Sequence, residues 1–301
     1  MTLSGLFTPV ATPFIDDEVD EAGLRANIRK YMATGLTGIV ALGSNGEAVQ
    51  LDEDEADRVV AIARDEVPSG RPLIAGTGRE STRATIAATR RAAALGADAV
   101  LVRTPAFFKQ LMSADVFIRH YTAVADASPV PVLLYNVTMY TGVALQVEAV
   151  ARLSAHPNIV GIKDSGSDVT LIADFLAQSA PGFTVLAGSG VAYYSALAAG
   201  AHGAVLALAG VATDACVEIR ALVEAGRMAE ARALQQRLVP LARLIGGQYA
   251  VPGLKAALDL LGYRGGLPRP PLGPVPPAVI DQLATALEAA GLSPTRPVAA
   301  S

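Results

Sequence analysis

The sequence predicts a (β/α)8 barrel, an α/β fold, with a C-terminal helical extension. Three observations carry that prediction. Eight short apolar segments recur between residues 5 and 207, and a helix-sized stretch separates each from the next. The apolar runs are continuous rather than alternating, as strands buried on both faces require. Strand–helix alternation calls for parallel pairing, and eight such units suit a closed barrel better than an open sheet.

The elements follow in order. Gly5–Val10 is an apolar strand ended by Thr8-Pro9, and Glu21–Thr34 has helical spacing at Leu24, Ile28 and Tyr31. Gly38–Leu42 is a strand running into Gly43-Ser44-Asn45-Gly46-Glu47, and Asp52–Val67 is a charged amphipathic helix. Pro72–Ala75 stops at Gly76-Thr77-Gly78; Ser81–Leu95 is a helix closed by Gly96, a left-handed cap. Asp98–Val102, Val130–Leu134, Ile159–Lys163, Phe183–Leu186 and Gly203–Ala207 are the remaining strands. Helices over Ser113–Ala127, Leu145–Ser154, Asp168–Ser179 and Tyr193–Ala199 lie between them. Further helices are expected over Asp214–Ala225, Met228–Ile245, Gly253–Leu261 and Pro277–Ala290. The Gly/Pro-rich stretch Gly262–Pro276 reads as a surface connection. Residues 1–212 are expected to form the barrel and 213–301 the helices that complete and extend it.

Composition excludes several classes. Half the residues are hydrophobic (51%) and 17% are charged, so a large core is available and disorder is not expected. A net charge of −4, with no tryptophan and no basic cluster, argues against a nucleic-acid partner. The single cysteine, Cys216, permits neither an intramolecular disulfide nor a cysteine metal cluster. His120, His156 and His202 share no metal-ligand spacing, so no metal is expected. Met1–Phe14 lacks a basic start followed by an apolar run, so no signal peptide is expected. Val185–Ala212 is weakly charged but broken by five glycines and His202, so a membrane span is not expected. A cytoplasmic protein is the expectation.

The chemistry centres on Lys163. Only four of the 24 basic residues are lysines (Lys30, Lys109, Lys163, Lys255), and Lys163 ends an apolar strand. Lysine can lose its proton when buried, whereas arginine cannot. A lysine with a pKa of about 10.4 is neutral less than once in a thousand at pH 7. Burial that lowers it to about 7–8, a penalty of roughly 3–5 kcal/mol, makes the amine a usable nucleophile. The amine then condenses with a keto acid, and the resulting iminium stabilises a carbanion on the next carbon. The plainer reading is a strand-end lysine whose ammonium reaches water or pairs with Asp164.

The barrel brings the strand ends to one mouth: Thr8, Ser44 with Asn45, Thr77, Thr104, Tyr135, Lys163, Gly188 and Val205. Tyr135 and Lys163 end consecutive strands, so a phenol able to shuttle protons stands beside the amine. Gly43-Ser44-Asn45-Gly46-Glu47 suits a carboxylate, with backbone N–H groups, a hydroxyl and an amide. An ordinary glycine-rich turn is the alternative there. Neither Gly76-Thr77-Gly78 nor Gly188-Ser189-Gly190 completes a dinucleotide fingerprint, so a nicotinamide cofactor is disfavoured.

At these residues the chain resembles the class I aldolase family of dihydrodipicolinate synthase and N-acetylneuraminate lyase. The resemblance rests on Gly43–Glu47, Tyr135-Asn136-Val137, Gly161–Ser165 and Ala187-Gly188-Ser189, in this order over nearly the whole chain. It implies a covalent Schiff base on Lys163 and no cofactor, Tyr135 for proton transfer, and Ser44 and Asn45 on the pyruvate carboxylate. Gly188, Val205 and Ser165 are expected substrate neighbours, with Ser44 also in the proton chain. A homotetramer, built as a dimer of dimers, is the implied assembly.

Two positions depart from the synthases. Where those enzymes resemble one another in Thr-Pro-Tyr-Tyr, with a tyrosine reaching the neighbouring subunit's site, this chain has Thr104-Pro105-Ala106-Phe107-Phe108. Phe107 therefore keeps the contact position without a hydroxyl. Five residues after the family tyrosine those synthases carry arginine, and this chain carries Tyr140. The Gly-Ser-Asn-Gly-Glu loop, Ile162–Thr170 and Val251-Pro252-Gly253-Leu254-Lys255 look instead like 4-hydroxy-2-oxoglutarate aldolases. The expectation is cleavage of a 4-hydroxy-2-oxo acid to pyruvate and an aldehyde. Alternatives are dihydrodipicolinate synthase (pyruvate with aspartate semialdehyde), N-acetylneuraminate lyase, a 2-keto-3-deoxy sugar-acid aldolase or dehydratase, and a non-catalytic keto-acid-binding barrel.

Overall fold

The structure, a computed structural model, describes residues 3–295. Residues 296–301, the end of the expected C-terminal unit, lie outside the described residues. Ten strands occur among them: β1 (Gly5–Pro9), β2 (Phe14–Ile15), β3 (Glu18–Val19), β4 (Gly38–Ala41), β5 (Leu73–Gly76), β6 (Ala99–Arg103), β7 (Val132–Asn136), β8 (Ile159–Asp164), β9 (Thr184–Ala187) and β10 (Gly203–Val205). Eight of them pair in parallel and close in the order β1-β10-β9-β8-β7-β6-β5-β4. This is the expected (β/α)8 barrel.

The pair β2–β3 is an antiparallel hairpin that the periodicity does not reveal, because two residues cannot show a period. Its turn, Asp16-Asp17, has positive φ at both residues (50° and 66°), the twist that a tight hairpin needs.

Helices fill the gaps between strands, and polar residues start them. Asp52 caps Glu53–Glu66 in a reciprocal capping box with Glu55, while Ser81, Ser113 and Asp168 cap Thr82–Ala94, Ala114–Ala127 and Val169–Gln178. Val185–Ala212 divides into β9, helix Tyr193–Ala198, β10 and helix Ala207–Val211. No helix among the described residues is long and apolar enough to cross a membrane.

Side chains separate by strand parity. Leu3, Phe7, Val40, Ile74, Leu101, Leu133, Tyr135, Leu186 and Val205 pack inside the barrel. Their strand neighbours, such as Val100, Val132, Leu134 and Ile162, pack outward against the helices. That two-residue alternation decides which way each strand-end residue points.

The C-terminal region departs from expectation in one place. The expected helix Met228–Ile245 stops at Arg243, and a five-residue π turn, Leu244–Gln248, leads into helix Ala250–Leu260. Pro240 lies inside the first helix, where it has no N–H to donate, and such wide turns inside helices are frequent at functional sites. The Gly/Pro-rich stretch after Leu261 is strapped to the barrel through Arg269. Its guanidinium meets both carboxylate oxygens of Glu55 at 2.6 and 2.7 Å and Asp17 at 3.0 Å, and its backbone N–H donates to Glu47 at 2.9 Å.

Candidate active site

The β7–β8 register pairs Tyr135 with Lys163 and Asn136 with Asp164. The first pair points into the barrel and the second outward. Lys163 Nζ donates to Tyr135 Oη at 3.3 Å and stands 4.3 Å from the ring centroid. Lys163 is 4% exposed, so its amine does not reach out to bulk water. Nor does it pair with Asp164. That carboxylate faces the other side, accepting from Asn136 Nδ2 at 2.6 Å and from the Gly166 N–H at 3.1 Å. Burial pushes Asp164 above the usual carboxylate range, against those two bonds. Asn136 in turn accepts from the Leu145 N–H, which ties the strand end to the following loop.

Ser44 Oγ lies 3.3 Å from Tyr135 Oη, so hydroxyl, phenol and amine form one chain. Burial alone would raise the Tyr135 pKa. The Lys163 charge and hydrogen bonds with Ser44, Ser165 and Lys163 outweigh burial and hold it below the ordinary tyrosine value.

Gly188 has a specific reason to be glycine. A Cβ there would stand 2.3 Å from Ser165 Oγ and 2.9 Å from the Asp164 carbonyl. The absent side chain leaves room for the serine hydroxyl that reaches Tyr135.

The loop carrying Ser44 and Asn45 is bracketed by two non-glycine residues in the left-handed region, Leu42 and Glu47, both at φ 55°. Such conformations persist where surrounding contacts impose them, and they concentrate at binding sites. The contact at Glu47 is an ion pair. Lys255 Nζ lies 2.5 Å from Glu47 Oε1, with both side chains buried, and also donates to the Leu267 carbonyl at 2.8 Å. Two stretches singled out by their sequence, Gly43–Glu47 and Val251–Lys255, thus meet through their charged ends. Burial lowers the Lys255 pKa even though Glu47 opposes it.

A cavity of about 540 Å³ opens over the amine. Asn45, Tyr135, Lys163, Ser165, Gly188 and Val205 all line it, so six of the expected site residues converge there. Ser44 lines an adjoining cavity of about 270 Å³ on the other side of Tyr135. Phe107 stands apart. It is 78% exposed, edge-on to Phe108, on a loop whose Ala106 and Phe107 N–H groups donate to Glu80. Arg103 also pairs with Glu80 and lines the smaller cavity only. The histidines make separate local contacts, with Thr82, Asp126 and the Val185 N–H.

Sequence reasoning missed one wall. Arg243, Gly246, Gly247 and Gln248, from the end of helix Met228–Arg243 and the π turn, line the larger cavity. The adjacent Gly246-Gly247 pair, just past the expected helix end at Ile245, was the available signal.

The dihydrodipicolinate synthetase family model matches residues 2–290. A 4-hydroxy-tetrahydrodipicolinate synthase of Exiguobacterium sp. is 37% identical over 287 residues, covering 95% of this chain and 97% of that protein. A probable mitochondrial 4-hydroxy-2-oxoglutarate aldolase of Emericella nidulans is 36% identical over 267 residues, covering 87% and 85%. The pyruvate complex of the chloride-inhibited dihydrodipicolinate synthase from Acinetobacter baumannii superposes with a TM-score of 0.91 at 32% identity, covering 97% of this chain and 100% of that one. The expected special nearness to 4-hydroxy-2-oxoglutarate aldolases is not supported, since other proteins named synthase match at 33 to 38%. Identity spread over a whole barrel reports the shared fold more than the few side chains that meet the second substrate.

Proposed function

Because the chain belongs to the dihydrodipicolinate synthetase family, enzymes of the pyruvate-dependent lyase type, we propose that Lys163 forms a Schiff base with pyruvate and that the enzyme makes or breaks the bond between pyruvate C3 and an aldehyde carbon. The observation that carries this is the chain Lys163 Nζ–Tyr135 Oη–Ser44 Oγ, with both steps at 3.3 Å and its amine and phenol buried. A barrel that only bound keto acids would need neither an inward-facing amine nor a phenol in contact with it.

The neutral amine adds to C2 of pyruvate, and Tyr135 passes a proton to the oxygen, which leaves as water. The iminium draws electrons from C3, which loses a proton and becomes an enamine. In synthesis C3 then attacks the aldehyde carbonyl, whose oxygen takes a proton from Tyr135. In cleavage the same steps run backwards. Ser44 and Asn45 hold the pyruvate carboxylate, with Ser165, Gly188 and Val205 framing the adduct. The covalent lysine adduct supplies the electron sink, so the family's chemistry uses no external cofactor.

For the aldehyde, the relatives' names favour the 4-hydroxy-tetrahydrodipicolinate synthase reaction, with aspartate semialdehyde. Cleavage of 4-hydroxy-2-oxoglutarate is the second reading. It is favoured by Tyr140, which stands where the synthases carry an arginine, whereas Phe107 departs from the tyrosine of both groups. The exposed Phe107–Phe108 pair is suited to cover by a second copy of the chain, and a homotetramer is the assembly we propose.

Incubation with pyruvate and borohydride, followed by peptide mapping, tests the central claim. A three-carbon adduct is expected on Lys163 and none on a Lys163→Arg variant; an unmodified lysine sinks it. Assaying aspartate semialdehyde against 4-hydroxy-2-oxoglutarate separates the two reactions. Phe107→Tyr is expected to keep or raise activity, whereas a large loss would mean that the apolar ring itself shapes the pocket.

A further inference from the structure

Among the described residues, only two charged side chains line the cavity over Lys163, Lys163 itself and Arg243, and no carboxylate lines it. The Arg243 guanidinium is exposed and has no ion pair or hydrogen bond among the described residues, so its charge is uncompensated by the protein. It ends helix Met228–Arg243, where the negative end of the helix dipole favours a cation, and the ladder then widens into the π turn. Side chains added at Gly246 and Gly247 would meet nothing within 4 Å, so the mouth is open beside the arginine.

This layout gives the two ends of a bound substrate different surroundings. The keto-acid end meets Lys163, Tyr135 and the Asn45 loop. The other end faces neutral donors (Ser167, Ser189, Gln248) and a single free cation. A guanidinium fork matches a carboxylate in charge and in geometry, and a hydroxylated neutral aldehyde gains nothing comparable from it. We propose that Arg243 is the specificity-determining residue of this site, selecting aldehydes that carry a carboxylate over neutral, sugar-like ones. The inference rests on the reading of Lys163 as the pyruvate-binding amine, and it holds for aspartate semialdehyde and for glyoxylate, the aldehyde that cleavage of 4-hydroxy-2-oxoglutarate releases.

The test uses the full-length enzyme and its Arg243→Gln and Arg243→Lys variants, with a separate portion of each treated with pyruvate and borohydride to check the adduct. Condensation of pyruvate is then measured with two acidic aldehydes, glyoxylate and aspartate semialdehyde, and two neutral ones, glycolaldehyde and glyceraldehyde. Arg243→Gln is expected to lower kcat/KM for the acidic pair by roughly 10- to 100-fold. The neutral pair should change far less, and Arg243→Lys should fall between. Equal losses on both classes, no loss on the acids, or an unaltered enzyme that prefers the neutral aldehydes overturns the assignment while leaving the adduct on Lys163 intact. Absence of the adduct from the unaltered enzyme fails the underlying reading, and this one with it.

Discussion

Lys255→Met is the sharpest test of how the Gly43–Glu47 loop is held. Lys255 is 1% exposed and reaches three partners: Glu47 at 2.5 Å, the Leu267 carbonyl at 2.8 Å, and the Phe14 ring, 4.4 Å from its centroid. Methionine approximates the volume but leaves the Glu47 carboxylate buried with the Arg269 N–H as its hydrogen-bond donor. Breaking one side of a buried pair costs about 3–5 kcal/mol, and the stranded Leu267 carbonyl adds roughly 1 kcal/mol. Equilibrium urea unfolding followed by far-ultraviolet circular dichroism reads this loss directly. Because Glu47 is left-handed and lies two residues after Asn45, the loop should also loosen, so the KM for pyruvate should rise in the variant that still folds. Combining Lys255→Met with Glu47→Gln removes both charges. The double variant should be less destabilised than the sum of the singles by about 2 kcal/mol. A single-variant loss below about 1 kcal/mol, or strict additivity, would refute the argument that this pair clamps the loop.

Other outcomes follow from the same geometry. Tyr135→Phe should lower kcat by about 10²–10⁴; because the phenol's pKa is depressed, the alkaline limb of the unaltered enzyme's kcat/KM profile should lie below about 10 and disappear in the variant. An unchanged limb would mean that another group controls it. Gly188→Ala should cost about 1–3 kcal/mol by overpacking and displace Ser165 from Tyr135, moving that limb upward; a stable variant with an unshifted profile would show that Ser165 does not tune the phenol. Burial pushes His120 down to about 4. The native state therefore refuses a proton that the unfolded chain accepts near pH 6.5, and stability should fall as pH drops from about 6.5 to 4, by up to about 3 kcal/mol. An NMR titration placing His120 near 6.5 would contradict this.

The sequence by itself carried the barrel, because eight buried parallel strands must be apolar on both faces and must be separated by helices. It also carried most of the site, because a (β/α)8 barrel gathers its strand ends at one mouth whatever lies between them. Lys163, Tyr135, Asn45, Gly188 and Val205 could thus be brought together from strand order alone. Tertiary structure decided what order cannot specify. The inward turn of Lys163 and the outward turn of Asp164 follow from strand parity, but the 3.3 Å contact with Tyr135 depends on the β7–β8 register, which no local pattern encodes. The Glu47–Lys255 pair joins residues far apart in the chain, and each alone reads as a surface charge. Arg243 reached the cavity only because a helix outside the barrel ends at its rim. Periodicity reports which face of a segment is buried; it cannot report which distant segment covers it.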